Sequence, residues 1–281
     1  MVAAAKSTEQ TLAARLGRIA VIGAGNMGQA VIAGLLGIEG VQPSSITAAN
    51  PGQEKRDYVA KTYGVATVAD NMQALPADTV FICVKPAKVP AVAAQLAQTG
   101  LGDALVVSVA AGVSCASLSA ALGGASRVVR VMPNTPLTVA AGTSGVSGGN
   151  STPAQDVQLV RDVFASMGSA VVVPEEQQDI VTAVSGSGPA YFELFLQAMA
   201  HAAQDLGMDY NAALELALGT MHGTAKMLMD THQDLDQAIA AVSSPGGTTV
   251  AALDAMQAAG IQPAIAAGIV AAAQRSKELG A

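Results

Sequence analysis

Short apolar runs alternate with stretches of helical period through the first half of the chain. "GRIAVIGAG" reads as a strand that ends in glycines, and "NMGQAVIAGLLG" as the helix that follows, closed by Gly37. "SSITAANPG" predicts a second strand, "QEKRDYVAKTYG" a second helix, and residues 66–68 a short third strand. A polar turn at Asp70 and Asn71 leads to the strand "DTVFICVKP", the helix "AVAAQLAQTG", the strand "DALVVSVAAG" and the helix "CASLSAALGG". "SRVVRVMPN", "GTSGVSGG" and "GSAVVVPE" complete the strands, with the helix "PAQDVQLVRDVFASMG" between the last two. Strands alternating with helices of this length predict βαβ units, and so a Rossmann-type, doubly wound, mostly parallel sheet. After Pro174 strand-like runs vanish, and "PAYFELFLQAMAHAAQDLG", "NAALELALGTMHGTAKMLM" and "IQPAIAAGIVAAAQRSKELG" all read with helical period. The expected organisation is an N-terminal extension over 1–17, an α/β dinucleotide-binding domain over 18–173, and an all-helical domain over 174–281.

Composition narrows the class. Of the 281 residues, 51% are hydrophobic, enough for a sizeable core, yet no run of about 18 large apolar residues suggests a membrane span. The helices of the second domain are apolar all round, which calls for burial against another subunit and predicts a homodimer through that domain. A net charge of −7, no Trp, four Phe and four Tyr give no basic stripe interleaved with aromatics, so nucleic acid is not an expected partner. Two cysteines make no disulfide framework, and Cys83 in an apolar strand reads as a buried thiol. Three histidines, His201, His222 and His232, share no spacing with other ligands that suggests a metal. The opening "MVAAAKSTEQTLAARLGR" has no signal-peptide core, so the expected location is the cytoplasm.

Candidate chemistry begins at residues 23–28, Gly-Ala-Gly-Asn-Met-Gly, directly after the first strand. In that context Gly23 makes the tight turn, Gly25 lets backbone approach a pyrophosphate, and Gly28 permits close helix–strand packing. The free N–H groups of the helix start then receive the anion. The second strand ends "TAANPG" with no acid before Glu54, while neutral Asn50 and nearby Lys55 and Arg56 leave room for a ribose 2′-phosphate. That favours NADPH, with NADH second; the two cations also suit a merely solvated helix face. "VFICVKPAKV" turns at Lys85 and Pro86 where ligands of open sheets lie, although a strand-end lysine also suits plain solvent.

Two further glycine-opened helix starts, "AVSGSGPAYF" and "SSPGGTT", lie in the helical part and could together cradle a carboxylate. Thr248 and Thr249 also suit an N-cap and a first turn. The first long helix, "GPAYFELFLQAMAHAAQDLG", has none of the lysine that a hydroxyacid or phosphogluconate dehydrogenase would place there. A non-catalytic NAD(P)-binding sensor or scaffold is the alternative in a different class, and the second anion site weighs against it.

Taken together, "IAVIGAGNMGQAVIAGLL", "VFICVKP", "RVMPNTP", "VSGSGPAYF" and "VSSPGGTTVAAL", in this order from Arg18 onward, resemble the motifs of pyrroline-5-carboxylate reductases. The resemblance implies a Rossmann domain, a helical domain interlocked into a dimer, and assemblies up to decamers. It implies NAD(P)H-dependent reduction of 1-pyrroline-5-carboxylate to L-proline, the last step of proline biosynthesis, without a metal. By motif, Gly23, Ala24, Gly25, Asn26, Met27, Gly28, Asn71, Cys83, Val84, Lys85 and Pro86 would contact the cofactor. Ser244, Gly246, Gly247, Thr248 and Thr249 would face the substrate, and Ser185, Gly186, Ser187 and Gly188 would shape the site. A cyclic imine protonated at nitrogen accepts hydride without a strong acid nearby, so orientation is the main demand on the protein. Thr249 is the candidate for a hydrogen bond to the imine nitrogen, as proton donor or relay.

Overall fold

In the computed structural model, residues 10–98, 100–124 and 127–280 are described. Of the expected N-terminal extension, residues 1–9 lie outside this set. The remainder forms helix α1 (Leu12–Leu16), capped by the Thr11 hydroxyl and anchored by fully buried Leu16.

Strand β1 (Ile19–Ile22) is buried on both faces and pairs in parallel with β2 (Ile46–Ala49) and β4 (Thr79–Ile82). Strands β3 (Ala66–Val68), β5 (Leu105–Ser108), β6 (Arg127–Met132), β7 (Gly142–Gly148) and β8 (Gly168–Val172) complete one sheet of order β3-β2-β1-β4-β5-β6-β7-β8. Near-continuous apolar strands of this kind need cover on both faces. Helices α2 (Asn26–Leu36), α3 (Gln53–Tyr63) and α6 (Ala154–Ala165) cover one face, burying Val31, Leu35, Val59, Leu159 and Phe164 with β1, β2 and β6. Helices α4 (Val89–Gln98) and α5 (Cys115–Ala121) cover the other with Val92, Leu96 and Leu118. Helix α4 starts before the expected "AVAAQLAQTG", because Pro90 suits a first turn that needs no N–H.

One pairing departs from parallel. Between β6 and β7 lies only a turn around the 3₁₀ segment Thr135–Val139, too short for a crossover helix, so β7 returns antiparallel. Helix α6 is the crossover that makes β8 parallel to β7. The mostly parallel, doubly wound sheet is as expected.

No strand follows Val172 among the described residues. Helix α7 (Gln178–Val181) and a π-turn at Thr182–Gly186 lead into α8 (Gly188–Asp205), α9 (Tyr210–Thr231), α10 (Leu235–Ala241), α11 (Thr248–Ala258) and α12 (Ile261–Gly280). Helix α10 had no counterpart in the sequence reading. The chain divides into two compact units: residues 10–187 with 272–280, and Gly188–Ala271. The end of the strand series and the division into units therefore fall at different residues. Residues 174–187 belong to the sheet unit because Gln178 and Ala183 are fully buried there, with Gln178 Nε2 donating to Ser147 Oγ at 2.7 Å. The last turns of α12 return to the same unit, where the Ser276 hydroxyl donates to Asp179 at 2.6 Å. Among the described residues no single helix is long and apolar enough to cross a membrane.

Candidate active site

The chain reverses direction of sheet growth between β1 and β4, and the turns that follow β1 to β4 carry the predicted cofactor residues. Gly23 follows β1 with φ +100°, and a Cβ there would lie 2.8 Å from both the Cys83 carbonyl oxygen and Val84 Cγ1. Only glycine satisfies both the dihedral and the space. Gly23 N–H donates to Ala49 O at 2.8 Å, and Cys83 N–H to Ile22 O at 2.8 Å, so the two turns are locked to the strand ends. At Gly28 a Cβ would fall 1.9 Å from Gly23 O, so this glycine lets α2 press against its own loop.

Gly25 behaves differently. It is the N-cap of α2 with φ −76° and ψ −172°, and a Cβ there would meet nothing within 4 Å. No side chain caps the helix and no acid stands in its first turn, which contains Asn26 and Met27. Neither strain nor packing within the chain requires a glycine here. An uncapped helix start with unfilled space beside it fits a dinucleotide pyrophosphate.

The β2–α3 turn is tied to this loop. Asn50 Oδ1 accepts from Ala24 N–H at 3.3 Å, and Asn50 N–H reaches Val68 O at 3.0 Å. Arg56 Nη1 donates to the carbonyls of Asn50 and Pro51, both at 2.7 Å, and its other branch meets Gln53 Oε1. Its guanidinium is thus held over the β2 end by carbonyl and amide oxygens rather than by a carboxylate. Asn71 lies on the 3₁₀ turn after β3 and donates to Gln95 Oε1 at 2.8 Å. Lys85 and Pro86 are exposed on the turn after β4. Cys83 is buried and burial pushes its thiol up to about 12, so at neutral pH it offers no thiolate. The structure brings together Gly23, Ala24, Gly28, Asn50, Cys83 and Val84 by direct contact, and sets Asn71, Lys85 and Pro86 on the neighbouring turns.

The predicted substrate residues fall in both units. In the sheet unit, Ser185 and Gly186 belong to the π-turn and Ser187 caps its end, with Ser187 N–H donating to Thr182 O at 2.8 Å across five residues. Wide turns of this type are frequent at functional sites. Ser185 Oγ donates to Thr143 O at 3.2 Å, Asn134 Nδ2 donates to Ser185 O at 3.3 Å, and Thr143 N–H donates to Asn134 Oδ1 at 2.8 Å. Asn134 and Thr143 were not picked out by sequence reasoning; the available signal was a polar residue following an apolar strand in "RVMPN".

In the helical unit, Gly188 opens α8 with Pro189 behind it, and a Cβ at Gly188 would meet nothing within 4 Å. The break at residues 243–247 is a tight turn. Gly246 has φ +70°, and Gly247 N–H bonds Ser244 O at 2.9 Å. A Cβ at Gly247 would fall 2.6 Å from Ser244 Oγ. Gly247, not a threonine, is the N-cap of α11, and no side chain caps that helix. Ser244 and Thr248 are exposed, while Thr249 is half-buried in the first turn. Among the described residues neither threonine hydroxyl makes a hydrogen bond within the chain. No group of three or more His, Cys, Asp or Glu among them could hold a metal ion.

Known proteins resemble the chain along nearly its whole length. The family model for pyrroline-5-carboxylate reductase dimerisation matches residues 175–279, and that for coenzyme F420-dependent NADP oxidoreductases matches residues 18–112. A pyrroline-5-carboxylate reductase of Pseudomonas aeruginosa is 41% identical over 264 residues, covering 93% of this chain and 96% of that one. The structure of such a reductase from Coxiella burnetii superposes with a TM-score of 0.89 at 35% identity, over 95% of this chain and 99% of that chain. One from Plasmodium falciparum, with NADP bound, gives 0.83 at 25% identity over 95% and 99%. With these likenesses spanning nearly its whole length, the chain belongs to the pyrroline-5-carboxylate reductase family.

Proposed function

We propose that this protein reduces 1-pyrroline-5-carboxylate to L-proline in the cytoplasm, with NADPH preferred over NADH. The observation that carries the reading is the start of α11. Its backbone N–H groups carry no side-chain cap and the Thr249 hydroxyl beside them has no partner among the described residues, in a family whose relatives are named for this substrate. An anionic imine fits that combination: N–H groups for the carboxylate and a hydroxyl for the ring nitrogen.

The bound dinucleotide would supply the hydride. It adds to the C5 carbon of the protonated ring while the C=N π electrons pass to nitrogen, leaving the secondary amine of proline. The chain's part is to hold and orient. Residues 23–28 and the turn at residues 83–86 would receive the cofactor, with Asn71 on the adjoining turn. Gly246 and Gly247 would shape the carboxylate cradle with Ser244 and Thr248, and residues 185–188 would also serve the substrate. Thr249 would hydrogen-bond the ring nitrogen and relay its proton from solvent. In functional terms residues 18–173 serve the dinucleotide and residues 174–281 the substrate and self-association.

Preference for NADPH rests on Arg56, held at the β2 end by carbonyl oxygens rather than by a carboxylate. Self-association rests on the second unit, where Phe192, Leu194, Leu216, Met229 and Val270 are all more than half exposed. We assign a homodimer through these helices, with larger rings such as decamers built from it. The deciding assay is loss of reduced-cofactor absorbance on mixing purified protein, NADPH and pyrroline-5-carboxylate. No oxidation with this or another cyclic imine would defeat the proposal.

A further inference from the structure

Three elements of the sheet unit meet at one small ring of hydrogen bonds: the end of β6, the start of β7 and the π-turn. Its atoms have definite roles. Thr143 N–H is a backbone donor, so the side-chain atom of Asn134 that it reaches at 2.8 Å is the carbonyl oxygen, and the amide nitrogen faces Ser185. That nitrogen lies 3.3 Å from Ser185 O and 3.5 Å from Ser185 Oγ. Thr143 O can only accept, so the 3.2 Å contact with Ser185 Oγ uses the single hydroxyl proton of Ser185. With its proton committed, Ser185 Oγ has only lone pairs left to offer.

We propose that Asn134 is a positioning residue that fixes the Ser185 hydroxyl as an acceptor toward the substrate. The inference rests on the reading of residues 185–188 as part of the substrate site. An acceptor-only hydroxyl cannot donate to the substrate carboxylate, which falls instead to backbone N–H groups. It suits an N–H donor of the ligand, such as the single N–H of the protonated imine or of the secondary amine product. Asn134 itself, half-buried with both ends of its amide engaged, acts through Ser185.

A double-mutant cycle with Asn134→Ala and Ser185→Ala tests this, reading KM for the imine alongside a direct NADPH binding titration. Asn134→Ala is expected to raise KM for the imine roughly tenfold, with NADPH affinity held within about twofold. In the Ser185→Ala background the same change should add less than about twofold, because the hydroxyl it positions is gone. Multiplicative effects, an unchanged KM for the imine, or parallel losses in both affinities would overturn the assignment. If Asn134→Ala does not accumulate, Asn134→Asp keeps the acceptor for Thr143 N–H, replaces the donor to Ser185 by a charged acceptor, and carries the same cycle. Wild-type protein is the control: its failure to reduce the imine would defeat the catalytic reading, whereas normal wild-type turnover with unaffected variants would overturn the positioning role alone.

Discussion

Gly25→Ala separates what a glycine does for the fold from what it does for a ligand. The added methyl meets no atom of the chain within 4 Å, and the dihedrals at this position are ordinary for an L-residue. Alanine is a poorer N-cap than glycine by about 0.5–1 kcal/mol. Restricting the unfolded chain returns roughly 0.4–1 kcal/mol. The two nearly cancel, so the expected shift in Tm is less than about 3 °C. A bound pyrophosphate changes the account, because the methyl would occupy the space that the phosphate needs. Overpacking a close contact costs about 1–3 kcal/mol. That corresponds to a loss of NADPH affinity of roughly 5- to 150-fold. Fluorescence titration with NADPH and a thermal melt of the same sample give both quantities. An affinity within about twofold of wild type would refute the placement of the phosphates at the start of α2.

Gly28→Ala should do the reverse, lowering Tm as well as cofactor affinity, because its Cβ would strike Gly23 O; a melt equal to wild type would contradict that contact. Thr249→Ala should reduce kcat with the fold intact, and near-normal turnover would remove Thr249 from the reaction. Asp156 is buried and grips Arg127 through both carboxylate oxygens, with Nε at 2.6 Å, while the arginine is partly exposed. Asp156→Ala should therefore cost about 2–3 kcal/mol, somewhat below a fully buried pair, read as a lower midpoint in urea. Both Cys83 and Cys115 have thiols pushed up to about 12, chiefly by burial. Native protein should therefore resist thiol reagents at neutral pH and react at two sites once unfolded. Because the folded values lie above the unfolded ones, the stability that these thiols contribute is full below the ordinary thiol range. It declines as pH rises from there toward 12, which denaturant midpoints across alkaline pH would record.

The strands and the glycine loop were legible because each is local. Four-residue apolar runs such as Ile19–Ile22, buried on both faces, have one reading, and a Gly-rich turn between strand and helix has few others. The antiparallel turn into β7 was less legible, since "GTSGVSGG" carries no mark of direction. What decides it is the short span before Gly142. Helix α10, capped by Asp234, was missed because it is short and set among exposed polar residues. The ring around Asn134 joins positions 51 residues apart in sequence, and no local pattern announces such a partner. The cap of α11 was half legible: the break was plain, but Gly247 rather than a threonine takes the N-cap once Gly246 adopts φ +70°.

The return of α12 has a consequence for how the chain can be cut. The sheet unit is built from residues 10–187 and 272–280, so the segment between them is topologically an insertion with two covalent ends. Gly112, itself at φ +73°, lies against Gly280, with a Cβ at Gly112 only 3.2 Å from Gly280 Cα. A nucleotide-binding fragment ended at 187 would lose that contact and the Ser276–Asp179 bond. A fragment that replaces Gly188–Ala271 by a linker long enough to join Ser187 to Ala272 would keep both. Both termini of the described chain thus belong to the same unit, which makes the helical segment, rather than either end, the natural place to exchange material between relatives.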